Sequence, residues 1–190
     1  MSEIQILKTE VLSDLRSKLE KITYQTVSNT GTQEHEREVF HRPDATVILL
    51  YDPSKKKVLL TEQFRLPVYL KEKHTKLLEA CAGLIDEGEF PEHAVIREVE
   101  EETGYRISQI KKIAEAYSSP GSFTELVHYF VGEYNEELKV SEGGGLKDEG
   151  EDIHTVELSF QEARQLLADS KIHDAKTIIL LQYAIINNII

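Results

Sequence analysis

Residues 83–105 read GLIDEGEFPEHAVIREVEEETGY. Pro91 suits the first position of a helix and Gly104 the position just past its end, so the segment predicts a helix over 91–103. At about 100° per residue, Val95, Ile96, Val99 and Thr103 gather on one arc, the face expected to be buried. Glu98 and Glu102 fall about 40° apart on the neighbouring arc, one turn from each other. Glu101 lies just beyond Glu98, Glu100 turns away toward solvent, and the short Ala94 leaves space beside the carboxylates.

A solvated, salt-bridged face is the ordinary meaning of such a run. Two features weigh against it here. Arg97 is the only cation within the helix, and like charges one turn apart repel. The acids also crowd the last turn, where the helix dipole disfavours them. A sequence that accepts both costs is consistent with a cation site. Carboxylate oxygens at this spacing suit a hard ion, Mg²⁺ or Mn²⁺. Zn²⁺ is disfavoured, because no Cys/His set has ligand spacing.

Outward from the helix, most segments read as strands. These are 21–28, 35–42 (with Arg37 and Glu38 on opposite faces), 45–52 and 56–64 around the turn signal DPSK, and 76–84 running into Gly83. Further strands are expected at 105–117, 125–134 and 153–160, with a glycine-rich acidic loop over 141–152 and helices over 159–172 and at the C-terminal end. No repeat or low-complexity tract is evident. The order predicts an α/β domain on a mixed sheet, with residues 1–42 as an N-terminal strand extension and 43–190 as the main domain.

Composition narrows the function. The chain has 190 residues, 40% hydrophobic and 29% charged, with a formal net charge of −12. That charge repels phosphates overall and argues against nucleic-acid binding, while an anionic small molecule remains compatible with a metal and a few cations. The single cysteine, Cys81, excludes an intrachain disulfide and fits a reducing cytoplasm. The N-terminal stretch lacks the pattern of a secretory signal, and TIILLQYAIINNII is too short and too interrupted to span a bilayer, so no membrane association is expected.

The 83–105 segment resembles the Nudix box: Gly, five residues, Glu, seven residues, then Arg-Glu-apolar-x-Glu-Glu-x-Gly-apolar. Gly83, Glu89, Arg97, Glu98, Val99, Glu101, Glu102 and Gly104 fill every required place, and Tyr105 stands where an aliphatic residue is usual. Pro120, in SSPGSFTE, resembles the marker of the ADP-ribose and nucleoside-diphosphate-sugar branch. EREVFHR, EQFRLPVY, LLEACAGL, the glycines of 143–145 and HDAKTIILL are similar to the GDP-mannose hydrolase subfamily. The resemblance covers the chain from about residue 20 to its end.

It implies an α/β/α sandwich around a mixed sheet, with the N-terminal strands used in homodimerisation. It implies Mg²⁺-dependent hydrolysis (Mn²⁺ as a substitute) of a nucleotide sugar, GDP-mannose giving GMP and mannose 1-phosphate. The alternative is ADP-ribose hydrolysis to AMP and ribose 5-phosphate, and a remoter one is a non-catalytic ligand sensor, opposed by the intact box and by the lack of room for a second domain.

By the same resemblance, Glu98 and Glu102 ligate the metal together with the main-chain carbonyl of Ala82, and both glutamates count as catalytic. Glu151, from the acidic loop, completes the site and serves as general base, with Glu149 as the alternative. Glu101 and Arg97 support the pair, and Glu89 is structural. Substrate contacts fall to Arg37 and Glu38 (in this or the partner subunit's site), Arg65, Ala82, Gly83, Leu84, Glu102, Glu125, Glu151 and Lys176. Arg16 stands where an aromatic stacking residue is expected. Cys81 reads as core, since no base accompanies it.

Overall fold

The computed structural model describes residues 3–29, 31–146 and 150–190. They form two compact units, Met1–Asp44 with Ala116–Val127, and Ala45–Glu115 with His128–Ile190.

The first unit is a three-stranded antiparallel sheet, β1 (Glu3–Asp14), β2 (Lys18–Ser28) and β3 (Gly31–His41), in the order β1-β2-β3. β1 was not anticipated. Its register against β2 shifts between Ile6 and Lys8 and again between Val11 and Ser13. Each bulge flips the alternation of side chains, so the period of two that marks a strand is lost along the sequence. Within this unit Glu20, buried in β2, accepts hydrogen bonds from Lys18 Nζ at 2.8 Å and His41 Nε2 at 2.7 Å. The 118–125 loop is tied to the end of β3, where Phe40 N donates to Ser122 O and Thr124 N to Phe40 O.

The second unit is built on β4 (Ala45–Asp52), β5 (Lys57–Gln63), β6 (Leu77–Glu79), β7 (Cys81–Leu84), β8 (Ile110–Tyr117), β9 (Leu126–Glu133) and β10 (His154–Ser159), in the order β10-β5-β4-β9-β8. β8 and β9 each carry a few residues assigned to the first unit. Among the described residues four α-helices accompany the strands: α1 (Leu66–Glu72), α2 (Pro91–Thr103), α3 (Phe160–Ala168) and α4 (Ala175–Ile186). β4 is buried at every position but Tyr51, as expected of a central strand covered on both faces. Ile48 and Leu50 pack with Val95 and Val99 of α2, while α4 also packs against β4, whose alternate residues Val47 and Leu49 are fully buried.

The expected single strand over 76–84 is two strands meeting at Ala80. β4 and β5 pair only at one end, from Leu50↔Leu59 to Asp52↔Lys57. Beyond that they part, and the intervening chain fills the gap as a V. β6 runs antiparallel to β5, from Gln63↔Leu77 to Thr61↔Glu79, and β7 antiparallel to β4, from Ile48↔Cys81 to Ala45↔Leu84. The apex residues Glu79, Ala80 and Cys81 are all buried. An apolar run with no glycine or proline at its bend does not announce the reversal.

Candidate active site

The site begins with how α2 ends. Pro91 opens the helix, and Gly104 closes it with φ 77°, its N–H donating to Glu100 O at 3.0 Å. Two further carbonyls of the last turn find donors in the glycine-rich loop: Gly144 N donates to Glu102 O at 2.9 Å and Gly145 N to Glu101 O at 3.0 Å. Gly143, Gly144 and Gly145 all have positive φ (69°, 108° and 77°), which side chains rarely adopt. The triglycine therefore caps the helix. A Cβ on Gly143 would stand 2.5 Å from Glu102 O.

That cap delivers Glu151. Its Oε2 accepts from Leu146 N at 3.0 Å, and Ile153 N donates to Gly144 O at 3.2 Å, closing the loop upon itself. Glu151 is near enough to raise the proton affinity of both Glu98 and Glu102 by charge repulsion. Glu149 lies outside the described residues.

Arg97 is the hub of the acids. Its Nε and Nη2 grip Glu89 at 3.2 and 3.0 Å, its Nη1 reaches Glu98 Oε1 at 2.8 Å and Glu101 Oε2 at 3.0 Å, and Nη2 also donates to Leu84 O at 3.1 Å. The fork thus ties the loop before the helix, the strand beneath it and two of its glutamates into one piece. Its hydrogen bond holds Glu89 below the usual carboxylate range. Glu100 instead pairs with Arg106, at 2.8 Å, toward solvent.

Glu98 and Glu102 are the pair whose proton affinity is raised. Burial pushes Glu98 up to about 7 despite Arg97, with Glu101 and Glu151 adding to the rise. Glu102 is 2% exposed, and burial pushes it up to about 8, opposed by a hydrogen bond from Cys81 and reinforced by the charges of Glu98 and Glu151. Ala82 N donates to its Oε2 at 3.4 Å. Gly83 has ordinary backbone angles, but a Cβ there would stand 1.9 Å from the Glu98 carboxyl carbon. A side chain at 83 would displace the Glu98 carboxylate from the place where Arg97 holds it, and glycine lets β7 lie against it there.

These residues fit a hard divalent ion. The donors are oxygens, and their mutual repulsion is negative charge that a cation would offset. Among the described residues no three such side chains close on one point, and Arg97 holds an oxygen of Glu98.

A NUDIX domain model matches residues 40–181. The chain is 43% identical to GDP-mannose pyrophosphatase of Yersinia enterocolitica over 99% of this chain and 98% of the relative, and 44% identical to the Pectobacterium atrosepticum enzyme of that name over 97% and 95%. It belongs to the Nudix family. The Escherichia coli K12 GDP-mannose pyrophosphatase is 40% identical over 95% of this chain and 94% of the relative. A solved ADP compounds hydrolase shares the fold, with TM-score 0.69 and 21% identity over 94% of this chain and 90% of its own.

The structure thus gathers Ala82, Gly83, Leu84, Glu98, Glu102 and Glu151, with Glu89, Arg97 and Glu101 of the Nudix box, around the C-terminal half of α2. Arg65 and Lys176 meet elsewhere in the same unit, each on the carboxylate of Glu79. Arg37, Glu38 and Glu125 belong to the first unit. Arg37 is exposed on β3 and donates to Glu36 O at 2.7 Å, Glu38 is exposed beside it, and Glu125 accepts from Arg42 Nε at 2.8 Å. Glu79 and Asp174, the carboxylates that these cations meet, were not foreseen. Glu79 had a signal, a lone charge in the apolar run LLEACAGL, and Asp174 another, an N-cap residue before a helix.

Proposed function

We propose that this Nudix hydrolase cleaves the pyrophosphate bond of GDP-mannose with Mg²⁺, giving GMP and mannose 1-phosphate. The observation that carries the chemistry is the pair of half-buried Glu98 and buried Glu102 facing β7 at Gly83, with Glu151 brought beside it by the triglycine cap. The similarity to GDP-mannose pyrophosphatases over nearly the whole chain supports the substrate.

Glu98, Glu102 and Glu151, with the carbonyl of Ala82, would hold the ion. When bound, a divalent cation neutralises pyrophosphate charge and acidifies a water. Arg97 keeps Glu98 and Glu101 oriented. Gly83 lets the β7 backbone, with the Ala82 carbonyl, lie close to the Glu98 carboxylate and the proposed metal. Glu151 takes the proton of the attacking water on its carboxylate while the bridging phosphorus–oxygen bond breaks. Being carried on a loop, it can approach with substrate. Arg65 and Lys176 serve as cationic contacts, Glu125 as a further substrate contact, and Arg37 and Glu38 as contacts in this or the partner subunit's site.

We also propose that residues 1–42 act as a self-association element, giving a homodimer, and 43–190 as the hydrolase domain. Ile4, Ile6, Leu7, Val11 and Leu12 of β1 are exposed apolar side chains, and β1 is an edge strand, which supports a second copy as occupant. No helix among the described residues is long and apolar enough to cross a membrane. The lone buried cysteine supports a cytoplasmic setting.

A substrate panel at fixed Mg²⁺ tests the reading. GDP-mannose is expected to give the highest kcat/KM, and a clear preference for ADP-ribose would replace it.

A further inference from the structure

The two cations expected to meet the substrate come from distant parts of the chain, Arg65 just before α1 and Lys176 at the start of α4. Both end on one carboxylate. Arg65 Nε donates to Glu79 Oε2 at 2.7 Å, and Lys176 Nζ lies 3.5 Å from Glu79 Oε1. The side chains are layered. Glu79 and Asp174 are 5% and 9% exposed, whereas Lys176 and Arg65 are 25% and 40% exposed. The anions lie inside and the cations face outward above them.

The inner layer is anchored twice. Asp174 accepts from Lys176 Nζ at 2.6 Å and caps α4 by accepting from Thr177 N at 2.9 Å and Thr177 Oγ1 at 2.7 Å. Thr177 Oγ1 in turn accepts from Ala80 N at 2.7 Å, at the apex of the V. The strand that leaves this apex is β7, which carries Ala82 and Gly83. The Nη nitrogens of Arg65 have no acceptor among the described residues, so its fork stays available to an anion while Nε is held.

We infer that Glu79 is a positioning residue for substrate binding: it fixes Arg65 and Lys176 side by side, at a set distance from the β7 strand, so that both meet the phosphate-bearing part of a nucleotide sugar. The inference rests on the proposed reading of Arg65 and Lys176 as substrate contacts. A long lysine and a long arginine lose much rotamer freedom on binding an anion. Glu79 removes that freedom beforehand, so less is lost when substrate arrives. Two adjacent cations would also repel and splay without an anion between them.

The test combines steady-state kinetics with Mg²⁺ and calorimetric binding of GDP-mannose. Glu79→Gln, which keeps shape and removes charge, is expected to raise KM and the dissociation constant about tenfold. It should leave kcat within about threefold of the wild type. In an Arg65→Ala/Lys176→Ala background the same change is expected to have no further effect, because nothing is left to position. Asp174→Asn releases Lys176 from its second anchor and should raise KM in the same direction. It keeps the inference falsifiable if Glu79→Gln fails to fold.

An equal penalty from Glu79→Gln in both backgrounds would overturn the inference, as would a fall in kcat at unchanged KM. Either marks a residue that holds the fold and nothing more. If wild-type protein binds GDP-mannose with the non-additive pattern but does not hydrolyse it, the reaction is misassigned and Glu79 keeps its role. If the wild type does not bind GDP-mannose, both readings fall.

Discussion

Gly83 and Glu98 approach so closely that the first carbon of any side chain at 83 would overlap the Glu98 carboxyl, at 1.9 Å from its carbon. A helix glutamate and a strand backbone are thereby pressed together with no atom between them. The box glycine is thus a packing requirement of the site, with no unusual backbone angle involved.

Gly83→Ala must push Glu98 or β7 aside. Displacements of about 1 Å at a reacting centre cost on the order of a hundredfold, and kcat is expected to fall by about that factor. Overpacking adds a loss of about 1–3 kcal/mol in stability, readable in a denaturant titration. Wild-type turnover in this variant would show that Glu98 is not where the chemistry occurs.

Glu102→Gln is expected to abolish turnover while the fold survives. Metal-free variant protein should melt above metal-free wild type at pH 8, because a neutral amide replaces a carboxyl whose ionisation burial opposes. Circular dichroism melts and an activity assay decide it, and activity near wild type removes Glu102 from the ligand set.

The loop base is tested by pairs of variants. Glu151→Gln is expected to slow catalysis more than Glu149→Gln, and the reverse order transfers the role. Gly145→Ala should also lower kcat, since a Cβ there would stand 2.5 Å from Glu151 Oε2. Gly88→Ala is the control for backbone strain alone. It has a similar φ, 79°, and nothing within 4 Å of the added carbon. If both alanine variants lose activity equally, the Gly145 contact is irrelevant.

A pH dependence follows from the raised pair. Glu98 and Glu102 titrate at about 7 and about 8 in the folded chain, above their ordinary value of 4.5. Between those values the folded state holds more protons than the unfolded one, so stability falls as pH rises. Metal-free protein is therefore expected to lose melting temperature from pH 5 to pH 8. Excess Mg²⁺ should flatten that slope by compensating the ionised pair. A metal-free melting temperature that rises over this interval would contradict the burial of the two carboxylates.

Much of α2 was legible because its determinants are local. Pro91, Gly104 and the apolar arc lie within one helix, and spacing alone places Glu98 and Glu102 one turn apart. Arg97 was expected to support the pair, and it forms ion pairs with three carboxylates, Glu89, Glu98 and Glu101. Gly83 was less legible. A turn glycine and a close-approach glycine look alike in sequence, and only the distance to Glu98 separates them. The triglycine read as flexibility, because nothing in its composition says that Gly144 and Gly145 donate to carbonyls of a helix about forty residues earlier. The short helix α1 was not foreseen either, although Pro67 lies in its first turn.

The sequence by itself determined the family and which side chains are proposed to carry the chemistry: a periodic helix, a spaced set of acids with one arginine, and a family pattern, all written in neighbouring residues. The tertiary structure alone decided what stands beside what. β4 and β5 part beyond Leu50 and Leu59, the V of β6 and β7 fills the gap, and its apex receives the cap of α4 through Ala80 and Thr177. Those contacts join segments from about ten to about a hundred residues apart. They depend on how packed strands diverge and where buried donors find acceptors, and no local periodicity records either.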